Sequence, residues 1–322
     1  MKRMNKRYLG LDIGGTKCAA LLGEQTEDGF RILSRLQIPT HTVQGPEQTL
    51  SRLFDAAELV LSGQTPAACG VSCGGPLSSR TGEILSPPNL PGWDRIPITR
   101  MVHDRFGVSA YLQNDANACA LAEWLFGAGR GCRDMIFLTF GTGLGAGIIA
   151  GGRLLEGASG MAGEAGHIRL SSYGPVGYGK SGSFEGFCSG GGMAQLAAMR
   201  IAEKTQMGQS VPYGPNPDVK TLAEAARQGD ELALSLFREA GKQLGCGLSV
   251  LVDLLNPEKI VIGSIFARCE DLLRPEMEKA LRAEALGASL RDCKVTPAGL
   301  GETVGDFAAL CVAVYGEKEN ER

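Results

Sequence analysis

Two short stretches carry residues suited to gripping phosphate: Asp12-Ile13-Gly14-Gly15-Thr16-Lys17 and Phe140-Gly141-Thr142-Gly143-Leu144-Gly145. Glycines let backbone N–H groups approach an anion closely and permit positive φ, and threonine hydroxyls add donors. Between the two stretches, Asn114-Asp115 sets an amide beside a carboxylate. Phosphoryl transfer needs donors around the β and γ phosphates, a Mg²⁺ held near them, and a base for the proton of the attacking hydroxyl. Gly14, Gly15, Thr16, Gly141, Thr142 and Gly143 are candidate donors, and Lys17 is a further candidate nucleotide contact. Asp12, at the end of an apolar run, is placed to organise Mg²⁺ through water, and Asp115 is a candidate base. Asn and Asp are also the favoured N-caps of helices, so residue type alone leaves a capping role open for Asn114 and Asp115.

Strands and helices must position these groups. Residues 7 to 37 read as three strands, with turns at Gly14-Gly15 and Glu27-Asp28-Gly29. Gln48 to Leu61 has helical spacing, Ala67 to Ser72 reads as a strand, Ile98 to Phe106 as a helix, Ser109 to Gln113 as a strand and Asn114 to Phe126 as a helix. Met135 to Leu138 and Gly145 to Ala150 form a second hairpin around Gly141-Thr142-Gly143. Helices follow near 191–206, 220–228 and 231–254, then a buried strand over Lys259 to Ile262 and a last helix over Asp306 to Tyr315. This alternation signals an α/β protein of two related halves. The expected division is an N-terminal domain over 1–119, completed by a C-terminal helix at 305–316, and a second domain over 120–304. The charged tail Glu317 to Arg322 is expected to fray.

Composition removes several classes of function. With 32 basic against 35 acidic residues and a net charge of −3, neither nucleic acid nor an anionic membrane is an expected partner. The start MKRMNKRYLG has a basic flank, but Gly10, Asp12, Gly14 and Gly15 interrupt its apolar run, which excludes a signal peptide or a span and predicts a cytoplasmic protein. Ten cysteines are scattered without a CxxC pair and read as reduced core thiols. GxxxxGK[ST] is absent, and Gly141 to Gly145 leads into a strand and not a helix, which disfavours both a Walker loop and a dinucleotide fold.

Further blocks follow the same order along the chain: CGGP (73–76), PNLPGW (88–93), NDANACALAE (114–123), GEAGH (163–167), FE (184–185) and IVIG (260–263). With DIGGTK and FGTGLGAG, their order and spacing resemble the repressor, open reading frame and kinase (ROK) family over residues 7 to 315. The resemblance implies an actin-like, ribonuclease H-like α/β fold of two domains, with ATP and a sugar in the cleft between them. It also implies that Asp115 is the catalytic base and that Asn114, Glu164, His167 and Glu185 contact the sugar, together with Gly75 and Asn89. Gly263, after the strand that meets adenosine, joins the nucleotide site. A homodimer or higher homo-oligomer is expected.

The chain departs from the family pattern in two places. Many members carry C-x-C-G-x-x-G-C-x-E after the histidine, where three thiolates and the histidine bind zinc. Here Val176, Tyr178 and Ser183 stand at the cysteine positions, so no metal site is expected, and packing of Tyr178 and Phe184 is expected to hold the loop. Ser264 stands where further glycine often follows Gly263.

These features predict an ATP-dependent kinase that phosphorylates a hexose or N-acetylhexosamine at O6, using ATP and Mg²⁺. The alternative is a ROK regulator or sensor that binds sugar without kinase activity. The family's repressors add an N-terminal winged helix-turn-helix, for which the few residues before Tyr8 are too short. A catalytically dead sensor fits poorly with the joint presence of Asp12, Asn114, Asp115, Glu164, His167 and Glu185. An iron–sulfur ATPase activator, suggested by the cysteines, has no use for PNLPGW or GEAGH.

Overall fold

The computed structural model describes residues 6–321, so most of the basic N-terminal flank and Arg322 lie outside the described residues. The chain forms two compact units. The first comprises residues up to Gly131, Leu154–Ala162 and Glu302 onward, and the second Cys132–Arg153 and Gly163–Gly301. The expected boundary at 119–120 falls inside a helix, and compactness divides the chain after Gly131 instead.

In the first unit, the strands are β1 (Arg7–Ile13), β2 (Lys17–Gln25), β3 (Phe30–Pro39), β4 (Cys69–Cys73) and β7 (Ala110–Asn114), with a small hairpin β5 (Leu77–Ser78) and β6 (Glu83–Ile84). Sheet order is β3-β2-β1-β4-β7. The first three strands pair antiparallel, while β1, β4 and β7 run parallel. Strands β1, β2 and β4 are apolar almost throughout, as strands covered on both faces must be. Helices α1 (Gly45–Leu61) and α2 (Ile98–Phe106) add Leu50, Leu53, Val60 and Val102 to one core. Helix α3 (Asp115–Phe126) packs with the C-terminal helix α11 (Val304–Asn320), which also lies on β1 and β4. The approach of α11 is close: a Cβ on Gly70 would overlap the Ala309 carbonyl oxygen and sit 2.6 Å from the Ala313 nitrogen. The tail does not fray as expected. It stays helical to Asn320, because Glu317 accepts from the Tyr8 hydroxyl at 2.7 Å and pairs with Lys6 at 2.9 Å.

The second unit repeats the plan. Its strands β8 (Met135–Phe140), β9 (Leu144–Ala150), β10 (Arg153–Leu154), β13 (Lys259–Ile262) and β14 (Lys294–Pro297) lie in the order β10-β9-β8-β13-β14. Strands β8 and β9 are antiparallel, and β13 is parallel to both β8 and β14. A small hairpin, β11 (Val176–Gly177) and β12 (Lys180–Ser181), precedes helices α4 (Phe184–Phe187), α5 (Gly190–Gln206), α6 (Val219–Arg227), α7 (Glu231–Leu255), α8 (Ile265–Arg268), α9 (Glu270–Glu284) and α10 (Gly287–Leu290). Helix α9, which carries Pro275 in its interior, is not among the helices expected from the sequence. Its buried Leu273, Met277 and Leu281 recur every four residues and pack against α7. All ten cysteines are free. Among the described residues no helix is long and apolar enough to cross a membrane.

Candidate active site

In the first unit, parallel register aligns the strand ends. Asp12 pairs with Ser72 and Ser72 with Gln113, while Ile13 pairs with Cys73 and Cys73 with Asn114. Asp12, the CGGP segment and Asn114-Asp115 therefore leave the sheet side by side at the carboxyl ends of β1, β4 and β7, where open α/β sheets bind ligands. A Cβ on Gly75 would stand in open space, so no protein contact there requires glycine.

The first phosphate-like turn is a tight hairpin closed by Gly14 N–H donating to the Lys17 carbonyl at 3.1 Å, with Thr16 and Lys17 exposed. Its glycines do not use positive φ, as expected from sequence; they use closeness. A Cβ on Gly15 would come within 2.7 Å of the Asn89 carbonyl oxygen, so Asn89 lies directly against the turn. Trp93 and Leu90, both buried, anchor the PNLPGW loop that carries Asn89. From beneath, the buried Thr40 hydroxyl donates to the Gly14 carbonyl at 2.6 Å, and its N–H donates to the Thr16 carbonyl at 3.0 Å. Thr40 is a support that the sequence reading missed, because a lone threonine after a strand carries no local signal of this role.

Asn114 does cap helix α3. Its Oδ1 accepts the Asn117 N–H at 2.7 Å, which leaves its side-chain NH₂ as the group available to a ligand. Asp115 is the first helical residue, and its Oδ1 accepts the Ala116 N–H at 2.8 Å. Asp115 is exposed, yet the protein crowding around it raises its carboxyl above the usual range, with the Ala116 N–H pulling the other way. Solvent contact limits the size of that shift. Burial, and then the negative charge of Asp115, push the Asp12 carboxyl up to about 6.

The second unit gathers its own set of groups. The turn Gly141-Thr142-Gly143 joins β8 to β9, with Gly141 N–H donating to the Gly143 carbonyl at 3.1 Å. The Gly263 N–H donates to the Leu138 carbonyl at 3.0 Å, which brings Gly263 and Ser264 beside this turn. Ser264 is held at φ 52°, ψ −115°, a conformation that favours glycine and accounts for glycine being common there in the family pattern. Glu185 is tied to the same turn: its Oε2 accepts the Leu144 N–H at 3.0 Å. The GEAGH segment lies on β9, since Ala146 N–H donates to the Gly163 carbonyl at 3.1 Å and a Cβ on Gly166 would overlap the Leu144 carbonyl oxygen. Glu164 and His167, both exposed, are three residues apart in one short 3₁₀ turn.

The loop between His167 and Glu185 is held only partly as expected: Phe184 packs into the core, but Tyr178 does not. Phe184 is fully buried, whereas Tyr178 is 74% exposed, its ring edge-on to that of His167 with centroids 6.2 Å apart. Hydrogen bonds hold the rest of the loop. Gln195 pairs with both the N–H and the carbonyl of Val176 at 3.1 and 2.9 Å, Lys180 donates to the His167 carbonyl at 2.7 Å, and Ser183 caps α4. Among the described residues no three His, Cys, Asp or Glu side chains gather as metal ligands.

A profile of the ROK family matches residues 8–313. The chain is 34% identical over 314 residues to a glucokinase of Streptomyces coelicolor, covering 95% of this chain and 96% of that protein. A ROK family glucokinase from Streptomyces griseus, solved in complex with glucose and AMPPNP, superposes with a TM-score of 0.76 at 33% identity, over 96% of this chain and 99% of the other. The DNA-binding transcriptional repressor Mlc of Escherichia coli is 34% identical over 215 residues, 66% of this chain and 52% of the repressor. The two repeated α/β units are those of the two-domain actin-like fold of ROK sugar kinases. The chain therefore belongs to the ROK family, which includes both glucokinases and transcriptional repressors.

Proposed function

We propose that this chain is an ATP-dependent kinase that phosphorylates a hexose or N-acetylhexosamine at O6, with Asp115 as general base. The observation that carries this reading is the register placing Asp12, the Gly14–Lys17 turn and Asn114-Asp115 at adjacent strand ends. Asp115 takes the proton of the attacking hydroxyl while the Asn114 amide, already fixed by its cap, holds the sugar in place. Backbone N–H groups and hydroxyls of Gly15, Thr16, Thr142 and Gly143 donate to phosphate oxygens, in turns closed by the Gly14 and Gly141 N–H groups, with Lys17 and the small Gly263 completing the nucleotide contacts. Glu164, His167, Glu185, Asn89 and Gly75 meet the sugar. Asp12 suits Mg²⁺, being a hard oxygen donor whose ionised form needs a compensating cation, and a bound Mg²⁺ would neutralise phosphate charge. We place the protein in the cytoplasm, as a homo-oligomer.

Coupled ADP release measured over glucose, mannose, allose, fructose, N-acetylglucosamine and N-acetylmannosamine tests this reading. Glucose is the first candidate, because the relatives are named glucokinases. Similarity to Mlc favours a second reading, a sugar-responsive regulator, and sugar binding without any ADP release would select it.

Acid inactivation is expected at unusually high pH for carboxylates. Both Asp12 and Asp115 have raised values and must be ionised to act, so activity is present above, and lost as pH falls through, about 6. Raising Mg²⁺ favours ionised Asp12 and moves this limb downward. Initial rates across the pH range at two Mg²⁺ concentrations check it; a limb near the ordinary ~3.9, indifferent to Mg²⁺, contradicts it.

At the sugar end, His167→Ala and Glu164→Gln are expected to raise the sugar KM and lower kcat/KM while the ATP KM barely moves. Losing a hydrogen bond to a bound hydroxyl costs ~1–3 kcal/mol, or roughly tenfold to a hundredfold. A thermal melt without sugar separates lost recognition from lost packing. Wild-type sugar kinetics in both variants, or a loss falling mainly on ATP, would place the sugar contacts elsewhere.

A further inference from the structure

In the first unit an unbroken chain of side chains runs from the Leu154–Ala162 segment to the start of helix α3. Glu156 Oε1 accepts from the Ser79 hydroxyl at 2.6 Å and from Gln113 Nε2 at 2.7 Å. Gln113 Oε1 accepts from Asn117 Nδ2 at 3.1 Å, and the Asn117 N–H is the one that Asn114 caps. Gln113 is 7% exposed and Asn117 1%.

We propose that Glu156 is a positioning residue for the Asn114-Asp115 pair, setting the direction of a buried amide relay through Gln113 and Asn117. This rests on the kinase reading above. The physical reason is that an ionised carboxylate only accepts hydrogen bonds. It forces the NH₂ end of Gln113 toward itself, which turns the Gln113 oxygen toward Asn117 and makes Asn117 present its own NH₂. Were Gln113 reversed, its oxygen would face the carboxylate and its NH₂ would face the NH₂ of Asn117, two mismatches in a buried site. One charge therefore sets the ends of two amides, with the buried Asn117 Oδ1 left without a hydrogen-bond partner among the described residues. It also locks the first turn of α3, where Asp115 begins the helix immediately after Gln113 and Asn114. Charge-assisted hydrogen bonds are short and roughly twice as strong as neutral ones, and the 2.6 and 2.7 Å distances at Glu156 are of that kind.

A charge exchange tests the proposal. Glu156→Ala leaves the Gln113 NH₂ without its acceptor, and Gln113→Glu sets two carboxylates against each other. In both, kcat is expected to fall about 10- to 100-fold, the scale of a misplaced reacting group, with sugar KM within about threefold of the parent. The double variant Gln113→Glu/Glu156→Gln restores one carboxylate and one amide and is expected to recover kcat to within about threefold. Hydrogen exchange over residues 114–119 should quicken in the single variants and slow again in the double. Parental kcat in both single variants, or a double no better than Gln113→Glu, overturns the proposal. A parent that releases no ADP with any sugar overturns the kinase reading instead. The relay then stands or falls on the exchange measurement alone, and unchanged exchange in both single variants sinks it.

Discussion

Replacing Asp115 with Asn is expected to lower kcat for phosphoryl transfer by about 10²- to 10⁴-fold, while sugar affinity changes far less. The amide keeps the shape of the carboxylate and can still accept the Ala116 N–H that holds the side chain at the helix start. What it loses is the ability to take a proton. On the proposed reading affinity survives because Asp115 is one of several groups assigned to the sugar, whereas proton removal falls to its one oxygen pair. Measuring kcat beside direct sugar binding decides the matter, and a variant that keeps more than about a third of parental kcat removes Asp115 from the base role. The same variant ought to simplify the acid limb, since the charge of Asp115 is among the causes that raise Asp12.

Gly70→Ala is expected to be the most damaging single methyl in the first unit. Its Cβ would overlap the Ala309 carbonyl oxygen and crowd the Ala313 nitrogen, and both obstacles are backbone that no rotamer change can move. Overpacking a well-filled core costs ~1–3 kcal/mol and occasionally more, and a clash with helix backbone belongs at the upper end. For a protein of 322 residues, ~3 kcal/mol corresponds to a fall in Tm of roughly 4–5 °C. Differential scanning calorimetry of the purified variant reads it directly; a melt within about 2 °C of the parent would mean that α11 shifts off β4 without penalty.

How much the sequence revealed depended on whether the signal was local. Strands β1, β2, β8 and β13 were legible because apolar runs end at glycine turns or at Asn256-Pro257, and α3 because Asn114 and Asp115 announce a helix start. Helix α9, with Pro275 in its interior, was not legible, and the persistence of α11 past Tyr315 was hidden by a charged sequence whose partner, Tyr8, lies at the other end of the chain. The candidate site divides along the same line. The turns and the capped pair stand out as motifs, but the reason for glycine in the turns did not: closeness to Asn89 and Glu185, and not positive φ, excludes a side chain there. Thr40, Gln195 and Glu156 act only through hydrogen bonds to residues far along the sequence, and no spacing rule exposes such partners.

The late position of α11 has a consequence for how the chain comes together. The sheet of the first unit is spelled out by residues 7–114, but the face of β1 and β4 that α11 covers has no cover until residues 304–320 have been made. The second unit, finished by Gly301, is by then complete. During synthesis the earlier half is thus the later to mature, and it waits with apolar strand surface open to wrong partners, the circumstance in which aggregation competes with folding. Loss of the C-terminal helix would accordingly unmake the half that carries Asp12 and Asp115 and leave the other half's core intact, so damage at the end of the chain is felt at its beginning.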